Sequence, residues 1–227
     1  MIQSITVHPD TLLHSILFFE TADFSQFDKH VIPLFGPNGV GKSTLIKGIE
    51  THRDLDIKLN GKPTGFYSYQ NARDNFKVRQ PRTYMESFDP VFLTSRLDAQ
   101  SVSEGQSIIY SMFDLLDGLR KNGGLPPEEG KDMVILLDEI DSGMSIDNID
   151  LTMKKIKTLV RVREDLQFIF SFNSPRIVKH FPFVLSMYDG KMLELHSDDD
   201  MLDEINAHKK SFDKARKTSK GRPKIFN

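Results

Sequence analysis

The stretch GPNGVGKST, from Gly36 to Thr44, places a lysine and two hydroxyls directly behind a glycine-rich turn. It fits the pattern G-x-x-x-x-G-K-[ST], in which backbone N–H groups surround phosphate oxygens at the start of a helix. Gly36, Pro37, Asn38, Gly39, Val40 and Gly41 are the expected cradle. Lys42 is expected to reach the β- and γ-phosphates of a nucleotide and Ser43 to place its hydroxyl on Mg²⁺, with Thr44 closing the motif. A second stretch, VILLDE from Val134 to Glu139, ends an apolar run in two acids. Asp138 is expected to hold Mg²⁺, directly or through water, and Glu139 to orient and polarise an attacking water. Adjacent Asp and Glu argue for hydrolysis rather than GTP switching, and the chain has no NKxD guanine-reading motif.

These groups need elements that bring them together. Before the loop, SITV (4–7), SILFFE (15–20) and HVIPLF (30–35) read as short strands. A helix is predicted from Lys42 to about Thr51, and DIKLNGKPTGFYSYQ reads as a hairpin about Asn60–Gly61. Residues 71–100 form a polar, mixed insert. Ile108, Ile109, Met112, Leu115, Leu116 and Leu119 share one helical face, as do Ile146, Ile149, Met153, Ile156 and Val160. MVILLDE and LQFIFSF (166–172) are unbroken apolar runs of the kind buried on both faces of a parallel sheet. VLSMYDGKMLEL (184–195) predicts a hairpin about Asp189–Gly190. Strands alternating with helices after residue 36 predict an α/β domain with a largely parallel core sheet.

Composition sets outer bounds. The 227 residues are enough for one self-sufficient core, and 30 basic against 32 acidic side chains leave a formal charge of −2. No global field therefore draws the chain to nucleic acid, although a local patch can do so. The absence of Cys excludes disulfides, thiolate metal sites and a Cys nucleophile. The first residues lack the pattern of a signal peptide, and the apolar runs are too short to span a bilayer, so a cytoplasmic protein without membrane insertion is expected. The seven histidines show no ligand spacing.

With both motifs placed, the chain from residue 1 to about 195 resembles the ATP-binding cassette (ABC) ATPases of the P-loop NTPase fold. The resemblance implies an N-terminal antiparallel β region, a small helical subdomain at 71–120 and a charged C-terminal helix or tail at 196–227. It makes Gln70 the expected Q-loop residue, near Mg²⁺ and the attacking water, with Gln80 a weaker competitor. VSEGQ (102–106) is similar to the family's LSGGQ signature, so Ser103, Gly105 and Gln106 are expected to face the ATP of a second copy. The same letters fit a capping box, Ser103 with Gln106, at a helix start. DSGMS resembles a D-loop with Asp141 as its matching residue. Phe18 or Phe19 is a candidate for stacking on adenine, with core packing as the plainer role.

Two departures matter. Glu104 replaces the first Gly of LSGGQ, and Asn173, in SFNSP, stands where the family's switch histidine is expected. Asn can donate to and accept from a γ-phosphate's surroundings but does not titrate near neutral pH, which predicts slow hydrolysis. Only about thirty residues separate Gln70 from Ser103, and there is no heptad array. The resemblance is thus to compact ABC ATPases of the RecF, OLD and SMC-like kind without a coiled coil, whose implied roles are DNA metabolism or defence. Two other readings stand beside it: a nucleotide-gated module with negligible turnover that recruits nucleic acid or an effector protein, and the nucleotide-binding subunit of a transporter. The expected partner is a second copy, joined head to tail by ATP. The tail from His208 to Lys224 carries eight Lys/Arg against one Asp and suits a phosphate backbone. It also suits a solvated helix capped by Ser197, acidic at its start and basic at its end.

Overall fold

Strand β6 (Asp132–Asp138) and strand β7 (Leu166–Ser171) carry their apolar residues without alternation, and this forces both into the middle of a sheet covered on two faces. In the computed structural model Val134, Ile135, Leu136 and Leu137, with Leu166, Phe168, Ile169 and Phe170, are all fully buried. The structure describes residues 1–27, 30–70, 104–120 and 131–219. The expectations for Gln80, Ser103 and residues 220–224 lie outside that set.

The main sheet has six strands in the order β5 (Thr64–Gln70), β6, β7, β3 (Val31–Phe35), β8 (Phe183–Ser186) and β9 (Met192–Glu194). All neighbours are parallel except β8 and β9, which form the predicted hairpin. The strands that precede the glycine loop and the acid pair are separated by β7 alone, so their carboxyl ends converge at one edge. A second, antiparallel sheet holds β2 (Thr21–Asp23), β1 (Ile2–Val7) and β4 (Leu55–Leu59). Buried Gln167 docks it to the main sheet: its side chain accepts from Ile2 N–H (2.8 Å) and donates to Ile2 C=O (3.1 Å), as a strand neighbour would.

The helices follow the predicted spacing except at Ile146, which is exposed at the start of its helix while Ile149, Met153, Ile156 and Val160 are buried. Helix α2 (Lys42–Thr51) buries Leu45, Ile46 and Ile49, and α3 (Glu104–Arg120) buries Met112, Leu115, Leu116 and Leu119. Helix α4 (Ile146–Val162) is capped by Ser145, whose hydroxyl accepts from Asn148 N–H. Helix α5 (Asp198–Ser219) opens on Asp198, Asp199 and Asp200, and Ser197 Oγ accepts from Asp200 N–H at 3.2 Å. No helix among the described residues is long and apolar enough to cross a membrane.

Two expectations are corrected. DIKLNGKPTGFYSYQ is not a hairpin: β4 pairs with β1 in one sheet and β5 pairs with β6 in the other. The turn at Asn60–Gly61 is real, with Gly61 at φ +84, but Phe66, Tyr67 and Ser68 of β5 are buried and need the covered main sheet. SILFFE is not a strand either. Thr11 caps a short helix, α1 (Leu12–Ile16), by accepting from His14 N–H, and Leu13 and Leu17, one helical turn apart, are both buried. Local capping and an i, i+4 pair outweigh β propensity there.

Candidate active site

The glycine loop leaves β3 and enters α2 through two backbone positions that a side chain would spoil. A Cβ on Gly36 would lie 2.8 Å from Val40 Cγ1, and one on Gly41 would lie 2.9 Å from Leu17 Cδ2 at a φ of +104. Gly41 caps α2 without a side-chain hydrogen bond. The first-turn N–H groups of Lys42, Ser43 and Thr44 have no carbonyl within the helix to bond, as at any helix start. They form an open donor set, reinforced by the helix dipole. Val40 is fully buried and serves packing, whereas Asn38, Gly39 and Ser43 are exposed.

Lys42 is the unusual cation. It is 6% exposed, and its ammonium donates to Gly36 C=O (2.6 Å), Pro37 C=O (3.5 Å) and Asn173 Oδ1 (3.1 Å), all neutral oxygens. Burial pushes its pKa down from the usual lysine range, opposed by the fields of Asp141, Glu139 and Asp138. Its direct hydrogen-bond partners are all dipoles, and the three carboxylates act on it through their fields, so this buried ammonium still has room for an anion in contact. A phosphate group at the helix N-terminus would supply it, so the loop fits a phosphate of a nucleotide.

The carboxylates stand next to it. Ser43 Oγ donates to Asp138 Oδ1 at 3.0 Å, which joins the first turn of α2 to the end of β6. A hydroxyl and a carboxylate are hard oxygen donors of the kind Mg²⁺ takes when it bridges protein and phosphate. Ser171, at the end of β7, donates to the same Asp138 Oδ1 at 2.5 Å and accepts from Glu139 N–H at 2.6 Å. Glu139 follows in the left-handed region, φ +47, and is exposed. Gln70 lies directly opposite Asp138 in the β5–β6 register, so its backbone flanks the acid pair.

Asp141 reaches back to the loop after β7, where its Oδ2 accepts from Asn173 N–H (2.9 Å) and from Ser174 N–H. The turn that follows, Pro175–Ile177, is held from α4. Arg176 donates through Nε and Nη2 to Asp150 (2.7 and 2.5 Å), and His180 Nε2 lies 2.8 Å from Asp150 Oδ1. The Arg176 guanidinium, and then His180, hold the Asp150 carboxyl well below the usual carboxylate range.

The structure therefore gathers Lys42, Ser43, Asp138, Glu139 and Asn173 at one edge, with the backbone of Gln70 beside them. Gly105 and Gln106 lie in α3. Helix α3 is tied to α4 by Lys155–Asp117 (2.7 Å) and by Arg163 Nη1, which donates to Leu119 C=O (2.8 Å). Phe19 is buried, its ring within 2.9 Å of where a Cβ on Gly190 would lie, while Phe18 is 39% exposed. Sequence reasoning missed Ser171, Asp150, Arg176 and His180. Ser171 lies two residues before Asn173, but a serine at a strand end carries no pattern of its own.

No protein-family model matches the chain. The fructose import ATP-binding protein FrcA of Rhizobium meliloti is 39% identical over 57 residues, 24% of this chain. That match spans 22% of the relative's length. Among solved structures, a metal-chelate type ABC transporter in an inward-facing conformation gives a TM-score of 0.51 at 17% identity, covering 91% of this chain and 90% of that one. The ATP-binding subunit of an ABC transporter gives 0.48 at 15% identity, covering 97% and 100%. At these identities the likeness is one of fold. The chain has the α/β fold of the ABC ATPases among the P-loop NTPases: a mostly parallel core sheet with an antiparallel sheet beside it.

Proposed function

We propose that residues 1–195 are an ATP-binding cassette ATPase unit that binds ATP with Mg²⁺ and hydrolyses it to ADP and phosphate. The observation that carries this reading is Lys42: a buried ammonium with neutral partners, at an open helix N-terminus, beside the Ser43–Asp138 pair. The cradle from Gly36 to Thr44 takes the phosphates through backbone N–H groups, and Lys42 turns from Asn173 to the β- and γ-phosphate oxygens. Ser43 and Asp138 would hold Mg²⁺, which would offset charge on the β- and γ-phosphates. Glu139 accepts a hydrogen bond from the attacking water and aligns it, with Gln70 opposite Asp138 on the neighbouring strand. Asn173, freed from Lys42, donates its amide N–H toward the γ-phosphate. It cannot take a proton, so turnover is slow.

Ser103, Gly105 and Gln106 of one copy complete the site of another, and ATP joins the two head to tail. Of these three, Gly105 and Gln106 lie on α3, the helix that packs on α4. The test is sizing with ATP and Mg²⁺: Glu139→Gln forms dimers that Lys42→Ala does not. Monomers in both overturn the paired mechanism.

Between the possible settings, the named relatives favour a nucleotide-binding subunit of a membrane transporter at the cytoplasmic face. They give no support to DNA metabolism or defence. Co-purification with a membrane protein from detergent-extracted membranes tests the transporter reading. Phosphate release measured with and without DNA tests the basic end of α5 as a nucleic-acid contact.

A further inference from the structure

We propose that Ser171 is a positioning residue that sets the acid pair for the metal–nucleotide complex, an inference that rests on the ATP-site reading above. Ser171 is fully buried at the end of β7 and grips three consecutive residues of the neighbouring segment. Its hydroxyl donates to Asp138 Oδ1 (2.5 Å) and accepts from Glu139 N–H (2.6 Å), while its carbonyl accepts from Ile140 N–H (3.1 Å). A hydroxyl has one proton. With Glu139 N–H occupying its acceptor side, that proton is directed at the carboxylate.

The consequence for Asp138 is geometric. The terminal torsion of an aspartate is broad, and one hydroxyl from Ser43 does not fix it, because Ser43 is exposed and is itself a candidate metal ligand. Ser171 supplies the second, buried anchor on the same oxygen, without bringing a charge that would compete with a cation. For Glu139 the consequence is backbone direction. Its φ of +47 is one that non-glycine residues rarely adopt, and the bond from its N–H to Ser171 Oγ holds the peptide there. The two acids thus take their relative orientation from one side chain on the adjacent strand.

Outer-shell partners of this kind act on metal affinity, and their loss typically costs about tenfold or more. The test compares wild type, Ser171→Ala and Ser171→Cys by Mn²⁺ binding in the presence of ATP, read by electron paramagnetic resonance. ATP affinity in EDTA and thermal unfolding are measured alongside. The expected result is Mn²⁺ affinity lowered about tenfold in Ser171→Ala, with ATP affinity in EDTA within about twofold of wild type. Ser171→Cys, close in size but a weak donor, falls between the two and keeps the fold if the alanine variant does not. Unchanged Mn²⁺ affinity in both variants overturns the role of Ser171. So does a parallel loss of metal-dependent and metal-free binding, which marks a packing effect. A wild type that binds ATP neither with Mn²⁺ nor in EDTA overturns the ATP-site reading itself, and this inference with it.

Discussion

Two charged clusters lie on either side of the loop after β7, and they are built on opposite principles. On the sheet edge, Lys42 is buried among neutral acceptors, and among the described residues Asp138 is met by the hydroxyls of Ser43 and Ser171. On the α4 side, Asp150 takes both arms of Arg176 and the ring of His180. The second cluster is complete: a bidentate ion pair with matched charge and partial exposure leaves nothing for a ligand to satisfy. The first is open: among the described residues Lys42 and the acids act on each other through their fields, but no carboxylate contacts the ammonium. A surface ion pair costs a protein little to keep, whereas an underpaired buried charge costs stability and persists where binding repays it. The contrast separates a site from a brace.

The sharpest break of that contrast is Glu139→Gln, which removes a carboxylate and leaves the binding groups in place. Turnover is expected to fall about a hundredfold to ten-thousandfold, in the range of a lost general base, with ATP affinity retained. Phosphate release and nucleotide titration measure the two separately. Lys42→Met comes next. ATP binding weakens by about a hundredfold, as when one partner of a buried charge contact is truncated. The same variant is expected to melt higher than wild type, because an underpaired buried ammonium is gone. Loss of binding together with lower stability would place Lys42 among the structural braces instead.

Asn173→His has a smaller effect. Turnover is expected to rise several-fold and to acquire a pH dependence near the histidine pKa of about 6.5, which wild type lacks. A flat pH profile with unchanged turnover removes Asn173 from the reaction. Asp150→Asn is the mildest. It leaves ATP affinity within about twofold, and its signature is in stability against pH. The folded pKa of Asp150 is depressed, so its contribution is present above the ordinary carboxylate value of about 3.9 and is lost as pH falls below it. Wild type therefore loses stability in that acid window more steeply than Asp150→Asn does. Equal slopes would show that the brace carries no load.

Much of this organisation was legible because it is local. The glycine loop, the apolar runs of β6 and β7, the periodic faces of α3 and α4 and the closing hairpin are each written in consecutive residues. One failure came where the deciding contact is remote, the other where a local cap outweighed strand composition. The Asn60–Gly61 turn is correctly a turn, yet the strands on either side of it belong to different sheets. The alternating burial of β4 suits the half-exposed antiparallel sheet, while β5 buries Phe66, Tyr67 and Ser68 together. SILFFE has strand composition, but Thr11 and the Leu13–Leu17 turn make a helix of its start.

The sequence by itself offered the candidates for phosphate and for a metal, since residue type and short spacing single out the glycine loop and the acid pair separately, 95 positions apart at Ser43 and Asp138. It also places Asn173 where the resemblance leads one to expect a histidine. Only the tertiary structure decided that Lys42 rests on Asn173, 131 positions away in the chain, and that Ser171 joins Asp138 to Glu139 across a strand boundary. The parallel sheet places β7 between β3 and β6, and pairings across such a sheet depend on strand order, which no run of adjacent residues encodes.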